Sequence, residues 1–191
     1  MILFSGHKKI IETALFIAGC FFIAACENDD KVLQDWTKRV VMTEEATQVV
    51  SYLSENGKVK AKLTAPLMIR TAGDTITVEF PNKLHCDFYN DSTRLETLLD
   101  SKYGIYYENL NKVYLRDSVV VITLKGDTLR SPDLWWDQST KMFHTDKYAL
   151  YHGPGKNIHG GKGLEASQDL SRIMFKETTG NMKVSQNGFP E

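Results

Sequence analysis

Histidine and cysteine side chains are the groups of this sequence that could bind a metal or act as base and nucleophile, and their spacing favours neither role. No HxH, HExxH or CxxC motif is present, so the short-range ligand pairs that hold zinc are missing. The sequence also has no GxSxG motif, which presents the nucleophile in many hydrolases. We therefore predict no enzyme, no metal and no cofactor for a chain whose histidines are His7, His85, His144, His152 and His159.

The overall charge argues against a nucleic-acid partner. The 191 residues carry 23 basic and 24 acidic side chains, a net charge of −1, whereas binding to a phosphate backbone needs a basic surface. Hydrophobic residues make up 42% of the chain, which is ordinary for a globular protein. Length and composition together predict one domain with a tail.

The amino-terminal segment has the pattern of a lipoprotein signal. A basic group at 7–9 precedes an apolar run over 10–25, which suits a signal-peptide core but is short of the roughly 20 residues that cross a membrane. The run ends in Ile23-Ala24-Ala25 before Cys26, which resembles the lipobox of bacterial lipoproteins. There, small residues admit the signal peptidase and the cysteine thiol takes the lipid. We predict that residues 1–25 are removed and that Cys26 carries the lipid.

Two alternatives to this anchor remain open at the sequence level. Cys20 also follows an apolar and two small residues, but cleavage there would leave an apolar start on the mature chain. The run could instead be an uncleaved membrane anchor or a buried hydrophobic helix. When cleavage removes Cys20 and lipid occupies Cys26, Cys86 has no partner, and we expect it to be a small buried hydrophobic residue in the oxidising envelope.

A polar segment over residues 26–45 separates the lipid from the rest of the chain, and we predict that it is a lipidated tether. Val32, Trp36 and Val40 recur every fourth position. This spacing fits one short amphipathic helix, and the polar composition fits a loose linker.

The remainder, residues 46–184, is predicted to be one all-β domain, followed by a tail at 185–191. Leu84, Cys86 and Phe88 alternate with polar or aromatic residues, and such alternation indicates a strand with one buried and one exposed face. Residues 119–124 form a continuous apolar and β-branched run, which fits a strand covered on both faces. Turn signals at regular spacing between these runs indicate short antiparallel strands in a sandwich or barrel.

The order and spacing of these strands resemble the LptC family, a component of the lipopolysaccharide transport machine. Three stretches carry the resemblance. The first is 56–66, followed by 78–81 and 87–89; the second is 113–121, followed by 126–129 and 134–137; and the third is 143–146, followed by 158–160 and 163–167. The resemblance implies a twisted, open β-jellyroll. Its repeated units are also similar to the OstA-type repeats of other periplasmic parts of that machine.

The resemblance also implies a function and partners. It implies that lipopolysaccharide passes from an inner-membrane ABC transporter, with its acyl chains shielded in an apolar cleft between two sheets. It implies that the strands at the two ends of the domain pair with neighbouring jellyrolls. One neighbour is a transporter subunit and the other is the soluble periplasmic bridge protein (LptA-like).

Alternation predicts which side chains face the interior, including Ala61 and Cys86. The candidate lipid-binding cleft consists of Val59, Leu63, Leu84, Phe88, Ile105, Tyr107, Val113, Leu115, Val119, Val121, Leu134, Trp136, Phe143 and Tyr151. The candidate partner edges are an amino-terminal strand with Val49, Val50 and Leu53 and a carboxyl-terminal strand with Met182 and Val184. A bulge would shift the alternation by one residue and invert a strand.

Two other functions compete with the transport bridge. The chain could be an envelope lipoprotein that binds or senses a lipid without joining a bridge. It could also be an envelope enzyme that acts on sugars, since exposed aromatic side chains can stack on sugar rings. The residues concerned are Trp135, Trp136, Tyr103, Tyr106, Tyr107 and Tyr114, which could equally fill a β core.

The anchor is the point at which this sequence departs from the family. Well-known members hold the inner membrane with a transmembrane helix, whereas this chain is predicted to use lipid on Cys26. We expect a periplasmic protein held at the inner membrane, and the sorting of the lipoprotein between the two membranes stays open.

Substitution Cys26→Ala is predicted to abolish incorporation of a labelled fatty acid into the chain, because it removes the thiol that accepts the lipid. The measurement is metabolic labelling followed by immunoprecipitation. Cys20→Ala is the matched control and should keep the label. Persistent labelling of Cys26→Ala would show that the lipid is attached elsewhere.

Overall fold

The computed structural model describes residues 41–182, so the predicted signal, Cys26, most of the tether, Val184 and the tail lie outside the described residues. Within this range the chain forms fourteen strands and one 3₁₀ turn at Glu108–Leu110. The described residues contain no helix long and apolar enough to cross a membrane. The strands are β1 Met42–Glu55, β2 Lys58–Ala72, β3 Ile76–Phe80, β4 Leu84–Tyr89, β5 Leu95–Ser101, β6 Tyr103–Tyr107, β7 Lys112–Thr123, β8 Thr128–Asp137, β9 Met142–Thr145, β10 Ala149–Gly153, β11 Lys156–Gly160, β12 Leu164–Ser167, β13 Ile173–Phe175 and β14 Thr178–Met182.

Four long strands, β1, β2, β7 and β8, run through two sheets and join them. The amino-terminal part of β7 pairs with β6, and its carboxyl-terminal part pairs with β5. Strands β2 and β8 are divided between two neighbours in the same way: β2 pairs with β4 and β3, and β8 pairs with β10 and β9. The first sheet therefore has the order β1-β2-β4-β5-β7-β8-β10-β11-β14. The second sheet has the order β1-β2-β3-β6-β7-β8-β9-β12-β13. Every pairing is antiparallel, and the predicted all-β jellyroll is confirmed.

The long strands bend where they pass from one sheet to the other, and proline stands at two of these bends. Pro66 of β2 has no partner in the ladder, although the residues before and after it are paired with β1. It lies opposite Gln48 of β1, whose φ is 53°. Pro132 of β8 lies opposite Asp117 and Ser118 of β7, with φ values of 65° and 70°. Proline has no N–H for a ladder, and a bulge with positive φ turns the strand. Both prolines therefore occur where the ladder is already interrupted.

The core lies between the inner faces of the two sheets, and period-two burial produces it. In β4 the residues Leu84, Cys86 and Phe88 are buried while their neighbours are partly exposed. Burial, together with the nearby Asp87 carboxylate, raises the pKa of the Cys86 thiol, so the thiol stays protonated. The prediction that Cys86 is a buried hydrophobic residue is confirmed.

Strand β6 has the opposite phase to the one predicted. Gly104 pairs with buried Leu115, and Tyr106 pairs with buried Val113, so these two residues point inward. The predicted inward positions of Ile105 and Tyr107 are wrong. The reason is local, because a Cβ at residue 104 would lie 2.1 Å from Cδ2 of Leu84. Glycine is thus the inward residue of β6, and a pattern of apolar side chains cannot reveal it.

A bulge in β2 places Val59 on a different face from the one predicted. Leu53 and Ser54 are adjacent in β1, yet they pair with Ala61 and Val59. Adjacent strand residues point to opposite faces. Val59 therefore does not share the inner face with Ala61, and its predicted inward position is wrong. The extra residue is Lys60, whose side chain is only 14% exposed.

Strand β1 starts at Met42, so residues 42–45 belong to the strand and not to the predicted tether. Nearly all residues of β1 are exposed, because β1 is the last strand of both sheets. An edge strand that is exposed to solvent on both faces shows no alternation of polar and apolar residues. Its first residue therefore cannot be predicted from the sequence pattern.

Substitution Gly104→Ala is predicted to lower the free energy of unfolding by about 1–3 kcal/mol, because the new methyl group would overpack the core against Leu84. Chemical denaturation of the domain measures it. The matched control is Gly73→Ala, since a Cβ at residue 73 meets no atom within 4 Å. Equal stability of the two variants would contradict the inward position of Gly104.

Candidate functional site

The hairpins of the two sheets face one another across an opening, which we call the mouth. Its cavity has a volume of about 660 Å³. The first sheet contributes the β1–β2 and β4–β5 hairpins, and the second sheet contributes the β6–β7, β8–β9 and β12–β13 hairpins. Polar side chains form the rim, whereas Ala61, Phe88 and Trp136 form the buried end. The mouth is thus a polar entrance to the apolar core.

Aromatic side chains from opposite sheets close the inner end of the mouth. The ring of Phe88 on β4 meets the ring of Trp136 on β8 edge to face, with 4.8 Å between the centroids. The same ring lies 6.2 Å from that of Phe143 on β9. Such pairs contribute about 0.5–1.5 kcal/mol each beyond their burial. At this position the two sheets are held together by side chains.

An ion pair spans the rim of the mouth. Nζ of Lys141, in the β8–β9 hairpin, lies 3.1 Å from a carboxylate oxygen of Glu55, at the end of β1. Both side chains are about half exposed, at 49% and 54%, so the pair is worth no more than about 1 kcal/mol. A weak contact across the opening can be broken at little cost.

The rim carries three cationic and four anionic side chains. A hydrogen bond and the charge of Lys60 hold the pKa of the Asp91 carboxyl below its usual value. Burial would raise the pKa of the Asp169 carboxyl, but hydrogen bonds from Ser167 and Ser171 outweigh it and lower the pKa. Both carboxylates are therefore ionised at neutral pH. The cations are Lys60, Lys141 and Arg172, and the anions are Glu55, Asp91, Glu96 and Asp169.

No group of three or more His, Cys, Asp or Glu side chains within residues 41–182 could hold a metal ion. Elsewhere on the inner face, a hydrogen bond of 2.7 Å joins the Tyr151 hydroxyl to Asp127. Burial and this carboxylate raise the pKa of Tyr151 to about 12, so the phenol stays neutral.

Eleven of the side chains predicted for the lipid-binding cleft lie on the inner faces, and most are fully packed. Leu134 and Phe143 are 0% exposed, and Val121 is 1% exposed. Ten of the eleven residues belong to one core or pack against it. The eleventh, Tyr151, contacts Phe175 at the edge of that core, with 6.1 Å between the ring centroids. Val59, Ile105 and Tyr107 do not join the core. The eleven are Leu63, Leu84, Phe88, Val113, Leu115, Val119, Val121, Leu134, Trp136, Phe143 and Tyr151.

The predicted partner residues lie on the strands that end the sheets. Within residues 41–182, β1 pairs with β2 alone and β14 pairs with β11 alone, so each has one unpaired edge. Val50 and Leu53 of β1 are 55% and 42% exposed. Met182 is the last residue of β14, and Val184 lies beyond the described range.

Sequence reasoning missed the residues of the rim. Glu55 and Lys141 belong to hairpins that are far apart in the chain, and only the bend of the sheets brings them together. It also missed Thr97, which is 0% exposed and pairs with Phe88 across β4 and β5. A polar residue in a predicted strand is expected to face solvent, so the sequence alone could not show that Thr97 faces the core.

A comparison with protein families places these observations in context. The family model described as "Lipopolysaccharide-assembly, LptC-related" matches residues 13–181. The match extends over every strand from β1 to β13 and almost all of β14. No curated protein matches the chain.

Proposed function

The chain belongs to the LptC-related family of lipopolysaccharide assembly, and from this membership and the mouth we propose that it receives lipopolysaccharide from an inner-membrane ABC transporter. It shields the acyl chains between its two sheets and passes the molecule to a periplasmic bridge. The family is one of transport-bridge proteins and not of enzymes. We propose that the ATP-driven work is done by the transporter, and that this chain supplies a surface along which lipid moves.

The observation that carries this proposal is the way the two sheets meet. Backbone ladders join them along the bends of the long strands, whereas side chains hold them at the mouth. Burying a methylene group gains about 0.8 kcal/mol. Insertion of about five methylenes, at about 4 kcal/mol in total, therefore offsets the loss of two aromatic pairs and one exposed ion pair, which together contribute at most about 4 kcal/mol. An acyl chain can part the sheets at the mouth without breaking a strand.

The chemistry of the inner faces suits transient binding. Leucine, valine and phenylalanine attract any acyl chain by burial, which is non-directional. A chain that slides from Phe88 towards the next apolar side chain loses one such contact and gains an equivalent one. The mouth cavity, at about 660 Å³, has the size of a site for a drug-sized ligand. It holds part of a lipid with several chains and leaves the rest to neighbouring surfaces.

The unpaired edges of β1 and β14 supply those neighbouring surfaces. An exposed edge strand normally risks aggregation, and pairing with a partner strand removes that risk. We propose that β1 pairs with a jellyroll of the transporter and that β14 pairs with the LptA-like bridge protein. Each pairing would continue the inner faces of this domain into the next one.

The lipid on Cys26 is proposed to hold the domain at the periplasmic face of the inner membrane. The alternative function is an envelope lipoprotein that binds or senses a lipid without forming a bridge. The mouth favours both functions equally, and the two unpaired edges favour the bridge.

A photo-crosslinking amino acid at Trp136 is predicted to trap lipopolysaccharide in cells, because this side chain lies at the buried end of the mouth. The same amino acid at Trp135 should give no adduct, since Trp135 points to the outer face of the same strand. Immunoblots with antibody to lipopolysaccharide measure both adducts. Trapping at Trp135 but not at Trp136 would contradict the proposed path.

Crosslinkers at the sheet edges distinguish the bridge from the lipid sensor. At Val50 of β1 we expect an adduct with a transporter subunit, and at Asn181 of β14 an adduct with the bridge protein. A crosslinker at Leu124, which is 62% exposed in the β7–β8 hairpin, is the control and should trap neither. Adducts with lipopolysaccharide at Trp136 without protein adducts at either edge would favour the sensor.

A further inference from the structure

Two buried polar atoms in residues 41–182 have no hydrogen-bond partner. They are Nε1 of Trp136 and Oγ1 of Thr97, in residues that are 7% and 0% exposed. An unpaired buried polar group destabilises a fold. A phenylalanine at 136 and a valine at 97 would keep the aromatic ring and the β-branched shape without this cost. Neither atom is explained by the packing of the core.

The two residues that carry these atoms neighbour the same side chain, Phe88, at the buried end of the mouth. Thr97 on β5 is the cross-strand partner of Phe88 in the first sheet. Trp136 reaches Phe88 from the second sheet, with 4.8 Å between the ring centroids, and it lines the cavity of the mouth. Thr97 and Trp136 thus come from opposite sheets and meet Phe88 at the place where the sheets are held by side chains alone.

The chemistry of the two atoms defines what can pair with them. The indole N–H is a donor only, so its partner must be an acceptor. The threonine hydroxyl both donates and accepts. An ester or amide carbonyl oxygen accepts from either group, whereas a hydrocarbon chain leaves both unpaired.

We propose that Trp136 Nε1 and Thr97 Oγ1 form a polar subsite for the carbonyl oxygen that links an acyl chain to its headgroup. This inference rests on the proposed function and adds to it a fixed position for the lipid. The linkage stops at Phe88, the hydrocarbon continues along the inner faces, and the headgroup stays at the polar rim. The subsite selects acyl-linked lipids over alkyl-linked ones.

The test compares two photoreactive probes with the same sugar headgroup and the same diazirine-bearing chain, one ester-linked and one ether-linked. Isolated membranes of cells that express the full-length chain are labelled with each probe, and the ratio of ester to ether labelling is measured. We expect the wild type to favour the ester about fivefold, the factor that one net hydrogen bond supplies. Trp136→Phe should bring the ratio close to one, and Thr97→Val should lower it.

Trp135→Phe is the matched control, because it makes the same chemical change at the adjacent residue on the outer face. It should leave the ratio unchanged. Thermal denaturation supplies an independent readout for Thr97→Val, which keeps the β-branched shape and should keep or raise the melting temperature while it lowers the ratio. Trp136→Phe also removes part of a buried ring, so a lower melting temperature is expected for that variant. A purely structural role would alter stability and leave the ratio unchanged.

The outcomes separate this inference from the function on which it rests. Equal labelling of the wild type by both probes, or a ratio that Trp136→Phe and Thr97→Val do not change, would overturn the subsite alone. If neither probe labels the chain and no lipopolysaccharide adduct forms at Trp136, both the proposed function and the subsite are overturned.

Discussion

The bend in the long strands is the constraint on which the rest of this structure depends. Because β1, β2, β7 and β8 continue from one sheet into the other, the backbone ladder holds the sheets together along one line. Everything beyond that line is held by side chains, and contacts between side chains can be exchanged for contacts with a ligand. Pro66 and Pro132 stand on this line, where the loss of a ladder N–H costs nothing further. The continuous long strands therefore explain both why the bend is rigid and why the mouth, which lies away from it, can adapt.

Alternation divides neighbouring residues between two environments, and the pair Trp135 and Trp136 shows this most clearly. Trp136 meets Phe88 inside the jellyroll. Trp135 lies on the outer face, where its ring stacks with that of His144 at an interplanar angle of 8° and contacts Tyr114 at 4.8 Å. Outer rings of this kind cover the pleated surface by cross-strand pairing. The aromatic cluster that suggested a sugar site in the sequence is thus divided between the core and the outer face.

The sequence predicted the parts of the fold that local alternation controls. Leu84, Cys86 and Phe88 lie inward as expected, since each polar neighbour between them marks the opposite face. Prediction failed where the inward residue has no side chain, as at Gly104, and where a bulge inserts a residue, as at Lys60. The mouth could not be predicted at all. Its rim brings together hairpins separated by many residues, and only the three-dimensional course of the long strands sets their distance.

The packing of the core and the course of the long strands determine where the two sheets can separate. Residues close to the bends, such as Leu134 and Val119, are 0% and 1% exposed, and opening the sheets there would strain the continuous ladders of β7 and β8. Near the hairpins the sheets are free of that restraint. The hairpins of each sheet follow one another in the order of the strands, from the β1 edge towards the β13 and β14 edges. The side on which the two sheets can separate therefore runs across the strands, from the β1 edge towards the β13 and β14 edges.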